Sequence, residues 1–170
     1  NSLEKWIFFG GVVFAMGGGG LVQAEELSLA GTWTLTQADK LEVTCPVAVP
    51  GGIYTALYEA KYIPDPYFAQ NEKKTQWPGR VEWDFERTFE VEAAFAAKAS
   101  VILRLEDVDC FADVYVNGTK VGETSNRFRR WDFDVKGLLK PGRNTIRGRF
   151  RSTENLSYAE SAKYPKGRFH

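Results

Sequence analysis

The chain has 170 residues, of which 22 are basic and 22 acidic, with 44% hydrophobic and 14% aromatic residues. This length suits one domain, and the zero net charge disfavours a general electrostatic attraction to nucleic acid or an anionic membrane. The only histidine is the last residue, His170, which nearly excludes a histidine-based zinc site and a Ser-His-Asp or Cys-His catalytic site.

The first 24 residues have the layout of a secretory signal peptide. Lys5 precedes an apolar stretch, and Val22-Gln23-Ala24 ends it with an approximate small-x-small cleavage site. A transmembrane helix is the alternative, but it needs roughly 20 continuous apolar residues, and the four glycines from Gly17 to Gly20 weaken a helix. We expect cleavage after Ala24 and a secreted or periplasmic protein, or a lysosomal one in a eukaryote.

From Leu29 onward, apolar residues recur with period two, as in strands half-buried in an antiparallel sheet. The clearest case is 81–91, where Arg87 is the one odd position that is not apolar. The predicted strand regions are 29–35, 81–91, 100–105, 111–116, a return strand through Val121, a region with Phe128, Phe133 and Val135, and a last strand with Ile146, Gly148 and Phe150.

Turns and one helix separate these strands. Asn117-Gly118 predicts a two-residue hairpin because both positions tolerate positive φ, and the composition of Lys140 to Asn144 also indicates a turn. Only Gly52 to Ala60 has a helical pattern, with Ile53, Ala56, Leu57 and Ala60 on one face.

Short strands, turns and one short helix indicate an all-β fold, an antiparallel β-sandwich or jelly roll. We expect this domain to span residues 25–152. The strand pattern fades after Ser152, so residues 153–170 are predicted to be a loop leading toward a further domain.

The two cysteines, Cys45 and Cys110, make neither a disulfide framework nor a metal motif. Two buried thiols in strands are the favoured interpretation. A single bridge in an oxidising compartment is the alternative. No metal site and no cofactor are predicted.

An ordered set of short motifs runs along the chain from Leu29 to Asn144. In order they are Leu29-Ala30-Gly31-Thr32-Trp33, Val49-Pro50-Gly51-Gly52, Ile63-Pro64-Asp65-Pro66-Tyr67, Asn71-Glu72, Trp77, Trp83-Asp84-Phe85, Leu105-Glu106-Asp107-Val108-Asp109, Val114-Tyr115-Val116-Asn117-Gly118, Asn126-Arg127-Phe128, Phe133-Asp134-Val135 and Gly142-Arg143-Asn144. Together they resemble the N-terminal, galactose-binding-like jelly-roll domain of glycoside hydrolase family 2. The segment from Ile63 to Trp83 is similar to β-mannosidases in particular.

The resemblance implies a retaining exo-glycosidase that removes terminal β-linked mannose with two carboxylates about 5 Å apart. In the family, both are glutamates on a (β/α)₈ barrel downstream, so no catalytic residue is expected in this chain. The resemblance also implies an intramolecular contact between this domain and the barrel.

Asn71, Glu72 and Asn126 are the candidate substrate-binding residues that the resemblance implies. In related β-galactosidases, a loop of this domain touches the sugar, and the equivalent place here precedes Trp83. For Asn71 and Glu72 the alternative is an exposed or domain-docking loop. Asn126 lies where the family carries its own Asn near the barrel, and the alternative for it is a capping or turn role.

Arg147, Arg149 and Arg151 form a basic stripe along the last predicted strand. A nucleic-acid surface is one interpretation, but aromatic residues do not alternate on that face. An exposed strand or a surface that docks on the next domain is preferred.

Three tryptophans are candidates for stacking on a sugar ring. Trp33 and Trp83 fall on apolar strand faces and are expected in the core, whereas Trp77, beside Pro78-Gly79, is expected to be more exposed. Asn117 and Asn155 each begin a glycosylation sequon, which matters only in a eukaryotic source.

Three functions stay open on the sequence alone. The first is the non-catalytic domain of an exported exo-β-mannosidase, helping to shape the sugar pocket and to support the barrel. The second is a stand-alone carbohydrate-binding module, and the third is the same domain of a β-glucuronidase, β-galactosidase or exo-β-glucosaminidase. The expected partners are a β-mannoside or related glycan and the barrel, with no nucleic acid and, after signal cleavage, no membrane.

Overall fold

The computed structural model describes residues 7–8, 10–16, 25–65, 71–109 and 111–152. Its strands are, in chain order, β1 (Ile7–Phe8), β2 (Gly10–Met16), β3 (Glu25–Ser28), β4 (Gly31–Gln37), β5 (Lys40–Val49), β6 (Gly51–Gly52), β7 (Trp83–Val91), β8 (Ser100–Glu106), β9 (Ala112–Val116), β10 (Thr119–Thr124), β11 (Trp131–Asp134) and β12 (Gly142–Phe150). The helical segments between them are α1 (Ile53–Glu59), α2 (Ala93–Ala96) and two 3₁₀ turns, Asn71–Thr75 and Trp77–Arg80.

Two antiparallel sheets enclose one core. The larger sheet has the strand order β10-β9-β12-β7-β4-β5, and the smaller has the order β11-β8-β2-β3. The short strands β1 and β6 pair separately. The expected antiparallel β-sandwich is therefore confirmed.

Alternation along the strands places one face of each sheet in the core. Trp33 of β4 and Trp83 of β7 are each 2% exposed, and Leu103 and Leu105 of β8 are 1% and 0% exposed. Burying an aliphatic or aromatic side chain of this size contributes about 1.5–3 kcal/mol. The hydrophobic faces of the two sheets thus hold the sandwich together.

The indole nitrogens of Trp33 and Trp83, which lie in the core, each donate a hydrogen bond to a main-chain carbonyl. Trp33 Nε1 donates to the Leu29 carbonyl at 2.8 Å, and Trp83 Nε1 donates to the Pro78 carbonyl at 2.9 Å. Trp77 differs from the expectation of an exposed ring, because it is half-buried with its ring centroid 5.8 Å from that of Trp83.

The predicted helix is confirmed as α1, with Ile53, Ala56 and Leu57 buried. Ala60, expected on the same face, is exposed because the helix has already ended at Glu59. The one-turn helix α2 was not predicted, and it packs through Phe95, which is 5% exposed.

The hairpin between β9 and β10 is also confirmed, with positive φ values of 48° at Asn117 and 81° at Gly118. Placing Phe128 in a strand region is wrong. Phe128 lies in the loop between β10 and β11 and is 95% exposed. Phe133 is in β11, and Val135 is buried just after that strand ends.

Part of the predicted signal peptide takes an interior strand position. β2 pairs with β8 on one side and with β3 on the other. Within the described ranges, no helix is long and apolar enough to cross a membrane. Cys45 of β5 is a buried free thiol, and Cys110 lies outside the described residues.

Candidate functional site

One end of the six-stranded sheet collects the loops that carry the candidate residues. A single rung of paired residues crosses five strands there, joining Gln37, Trp83, Phe150, Ala112 and Thr124. The chain enters β7 at Trp83 and leaves β10 at Thr124, so the segments on either side of these residues emerge at the same end. Strands lie about 4.8 Å apart, which separates these two points by about 14 Å. We call this end of the sheet the loop end.

The chain also leaves the last strand at the loop end. Arg151 N donates to the Phe111 carbonyl at 2.9 Å, and Ser152 Oγ donates to the Gly79 carbonyl at 2.9 Å. The second bond ties the departing chain to the 3₁₀ turn before β7. Arg151 and Ser152, the last described residues, therefore lie at the loop end.

Asn71 braces the loop that precedes β7. Its Nδ2 donates to the Asp65 carbonyl at 3.1 Å, and its own carbonyl accepts from Thr75 Oγ1 at 3.2 Å. Thr75 is fully buried, which anchors this turn to the domain. Glu72 follows in the same 3₁₀ turn, and its side chain lies outside what the structure describes.

Asn126 shapes the loop between β10 and β11. Its Oδ1 accepts from Phe128 N at 2.8 Å, and its carbonyl accepts from Trp131 Nε1 at 3.2 Å. The first bond is an Asx turn, the turn role that was the alternative for this residue. The turn leaves the neighbouring Phe128 ring outside the domain.

Three arginines are close to Phe128 in the sequence. Arg127 lies 3.8 Å from Asp109, Arg130 lies 4.0 Å from Asp132, and Arg129 stands 4.5 Å from the ring centroid of Trp131. An exposed aromatic ring among arginines is the composition that protein interfaces favour. The sequence named this motif but did not indicate that Phe128 points away from the core.

The basic stripe of β12 is matched by acidic residues on its neighbours. Arg149 binds both carboxylate oxygens of Asp84, at 2.9 and 2.7 Å, and this hydrogen bonding raises the pKa of Arg149. Arg147 stacks on Tyr115 at 4.4 Å, and Arg151 reaches Glu123 at 3.3 Å. These partners engage the stripe within the sheet, which supports the exposed-strand interpretation over a nucleic-acid surface.

A shallow depression of about 540 Å³ lies on the outer face of β4, β5 and β7. Threonine hydroxyls and Glu86 contribute to its lining. Trp33, the one aromatic residue among its lining residues, is 2% exposed. The depression therefore offers no exposed ring of its own for stacking on a sugar, and we do not assign it as a glycan site.

The side-chain amide of Asn117, the first residue of one glycosylation sequon, already makes hydrogen bonds within the domain. Its Nδ2 donates to the Leu138 carbonyl and to Asn144 Oδ1, both at 2.8 Å. A glycan on this nitrogen would have to replace those bonds. The second sequon, at Asn155, lies outside the described residues. No group of three His, Cys, Asp or Glu residues suited to a metal ion occurs in the part of the chain that the structure describes.

Comparison with known proteins gives consistent matches. The family model described as "Glycosyl hydrolase 2 galactose-binding domain-like" matches residues 33–170. A β-mannosidase from Capra hircus is 31% identical over 136 residues, which cover 80% of this chain and 15% of that protein. The chain thus spans about 15% of the length of this curated relative.

Two solved structures are similar in fold to this chain. A β-D-mannosidase from Dictyoglomus thermophilum has a TM-score of 0.78 and 34% identity, covering 82% of this chain and 17% of that chain. A β-D-glucuronidase from the same organism has a TM-score of 0.54 and 16% identity, covering 74% of this chain and 19% of that one. The second likeness concerns the fold alone.

Proposed function

The chain belongs to the galactose-binding-like domain family of glycosyl hydrolase 2 proteins, and we propose that it is the non-catalytic N-terminal domain of an exported exo-β-mannosidase. The parent enzyme removes terminal β-linked mannose by a retaining mechanism. Its two catalytic carboxylates, about 5 Å apart, belong to a barrel domain outside this chain. This domain helps to shape the sugar pocket and supports the barrel.

The arrangement of the loop end carries the proposal. The Asn71 loop and the Asn126 loop emerge there, and the last described residues, Arg151 and Ser152, lie there. A domain that follows this chain is therefore connected at the end where the candidate residues lie. The preference for mannose is supported by the 31% and 34% identities to two β-mannosidases.

Asn71, Glu72 and Asn126 supply polar contacts at the rim of the sugar pocket in this proposal. Amide and carboxylate groups bind sugar hydroxyls as donors and acceptors. Asn71 and Asn126 are held by bonds to the main chain, so both loops are positioned before substrate arrives. In this proposal, Asn71 and Asn126 bind the glycan in addition to making the hydrogen bonds that shape their loops.

Kinetics of the full-length enzyme on an aryl β-mannoside test these contacts. We expect Asn71→Ala, Glu72→Ala and Asn126→Ala to lower kcat/KM by about fivefold or more each, because one hydrogen bond to a sugar hydroxyl is worth roughly 1 kcal/mol or more. Glu90→Ala is the matched control, since Glu90 is exposed at the opposite end of β7. Unchanged kinetics in all three variants would remove these residues from the pocket.

Phe128 is the docking point on the barrel in this proposal. Its ring is 95% exposed, and its backbone is fixed by the Asx turn of Asn126. Burying such a ring against another domain contributes about 1.5–3 kcal/mol. The arginines at positions 127, 129 and 130, next to Phe128 in the sequence, favour a partner surface with carboxylates at its rim.

Thermal unfolding separates docking from folding. We expect Phe128→Ala to leave the melting temperature of the 170-residue chain unchanged and to lower that of the full-length enzyme by several degrees, because a loss of about 1 kcal/mol shifts the melting temperature by roughly 2–4 °C in larger domains. Leu41→Ala is the control, since Leu41 is 72% exposed on β5 at the other edge of the sheet. Equal effects of both variants on the full-length enzyme would place the docking surface elsewhere.

A further inference from the structure

The hairpin turn between β9 and β10 carries Asn117-Gly118, the only Asn-Gly pair in the sequence. We propose that this pair is a deamidation site that the folded domain keeps unreactive, and that deamidation follows when the hairpin opens. The product cannot remake the contacts of the turn, so the reaction converts a reversible opening into permanent damage. The proposal depends neither on export nor on glycosidase activity.

Asn-Gly pairs lose ammonia by an intramolecular reaction. The main-chain nitrogen of Gly118 attacks Cγ of Asn117, so that an N–C bond forms and the Cγ–Nδ2 bond breaks. The Gly118 amide proton leaves with Nδ2 as ammonia, and a five-membered cyclic imide remains. Water then opens the ring at one of the two bonds between the imide nitrogen and a carbonyl carbon, which gives aspartate or isoaspartate. Glycine permits the attack best, because no Cβ stands beside the attacking nitrogen.

In the folded domain, three hydrogen bonds hold the Asn117 side chain. Nδ2 donates to the Leu138 carbonyl and to Asn144 Oδ1, and Oδ1 accepts from Thr145 N, all at 2.8 Å. The main chain is held as well, because Asn117 N donates to the Thr145 carbonyl at 2.8 Å. Closing the ring turns Cγ toward Gly118 N and takes Nδ2 away from its two acceptors. These bonds therefore oppose the reaction.

Burial alone does not protect this pair. Asn117 is half-buried and Gly118 is exposed, so water and base can reach the turn. A Cβ placed on Gly118 would meet no atom of the described residues within 4 Å, in keeping with an open turn. The hydrogen bonds of the Asn117 side chain, rather than exclusion of water, keep the pair unreactive. Reaction then requires opening of the hairpin and not of the whole domain.

An aspartate at position 117 cannot make the same contacts. Nδ2 becomes an oxygen that faces two other oxygens, the Leu138 carbonyl and Asn144 Oδ1. If the Asn144 amide turned over to offer its nitrogen, it would lose the bonds from that nitrogen to the carbonyls of Lys140 and Gly142. A charged oxygen placed against two acceptors costs more than a lost hydrogen bond. Isoaspartate also lengthens the main chain within a two-residue turn, whose length sets the register of the hairpin.

Peptide mapping of the full-length protein tests the protection. The tryptic peptide 105–120 contains Asn117 and no other Asn or Gln, so the mass increase from exchanging NH₂ for OH reports on this side chain alone. The protein is incubated at one mildly alkaline pH with and without guanidinium chloride. We expect Asn117 to deamidate roughly tenfold or more slowly in the native protein than in the denatured one. Equal rates would overturn the proposal.

Two variants separate these hydrogen bonds from overall stability. Asn144→Ala removes one acceptor of Asn117 Nδ2, whereas Leu103→Ala makes a cavity in the core at the other sheet, with a comparable loss of stability. We expect native Asn144→Ala to deamidate at Asn117 roughly fivefold or more faster than native Leu103→Ala. Equal rates would show that global unfolding controls the reaction and would contradict the role of these bonds. If Asn144→Ala does not fold, the comparison in the unaltered protein still decides.

Amide hydrogen exchange of the full-length protein tests the effect of the product. Asn117→Asp reproduces the aspartate product. Asn126→Asp is the matched control, because the bond that Asn126 Oδ1 accepts from Phe128 N is one that an aspartate can also accept. We expect the amides of β9 and β10 to exchange roughly tenfold or more faster in Asn117→Asp than in the unaltered protein, and at an unchanged rate in the control. Unchanged exchange in Asn117→Asp would overturn the proposed damage.

Discussion

Asn144 has a buried side-chain amide that takes part in four hydrogen bonds. It is 1% exposed on β12, just after the turn at Lys140. Its Nδ2 donates to the carbonyls of Lys140 and Gly142, at 2.7 and 2.8 Å. Its Oδ1 accepts from Lys140 N at 3.1 Å and from Asn117 Nδ2 at 2.8 Å. One side chain therefore joins the turn before β12 to the hairpin between β9 and β10.

Replacing Asn144 with Ala removes all four bonds. At about 0.5–1.5 kcal/mol each, they sum to about 2–6 kcal/mol. Water can reach the partners at the turn, where Lys140 is exposed, so the lower half of that range applies. We expect Asn144→Ala to lower the free energy of unfolding by about 2–4 kcal/mol.

Urea unfolding of the 170-residue chain, followed by the fluorescence of the buried tryptophans, measures this loss. Asn126→Ala is the matched control, because it makes the same chemical change where the side chain has one exposed bond, to Phe128 N. We expect the control to lose about 1 kcal/mol or less. A loss below 1 kcal/mol for Asn144→Ala, or equal losses in both variants, would refute the role of this amide.

Two further predictions concern ionisable groups. The hydrogen bond from Arg104 holds the pKa of Asp132 below its ordinary value of 3.8, so this pair stabilises the fold above that pH and the stabilisation is lost as the pH falls through the lowered pKa. Asp132→Asn should therefore be less stable than the unaltered chain at pH 7, with the difference in urea midpoint closing toward pH 3; a constant difference would contradict this. Burial, and then the charge of Glu59, raise the pKa of the Cys45 thiol. In a Cys110→Ser background we expect iodoacetamide at pH 8 to react with Cys45 at least tenfold more slowly than in 8 M urea, and equal rates would show that the thiol is accessible.

Local alternation predicted most of the sheet. The strand 81–91 and the Asn117-Gly118 hairpin have signals within a few residues, and the structure confirms both. β5 was predicted only at Cys45, as a buried thiol in a strand, although Val43, Cys45, Val47 and Val49 alternate toward the core. The reason is Pro46, which disfavours an interior strand and is tolerated here because β5 lies at the edge of its sheet.

Features that depend on contacts between segments distant in the sequence could not be predicted from local patterns. The bond of Arg149 to Asp84 joins residues 65 positions apart, so the composition of β12 alone showed only a basic stripe. Phe128 was expected in a strand region together with Phe133 and Val135, but it lies in the exposed loop that the Asx turn of Asn126 shapes. The shared location of the Asn71 and Asn126 loops follows from the register of four strands, which no local pattern encodes.

Substrate hydrolysis by the full-length protein and by the 170-residue chain tests the central claim most directly. Both are assayed on aryl β-D-mannoside, β-D-glucuronide and β-D-glucosaminide. We predict that the full-length protein hydrolyses the mannoside with a kcat/KM at least tenfold above the others, and that the 170-residue chain hydrolyses none of them. Hydrolysis by the 170-residue chain alone, or a full-length preference for the glucuronide or glucosaminide, would contradict the account.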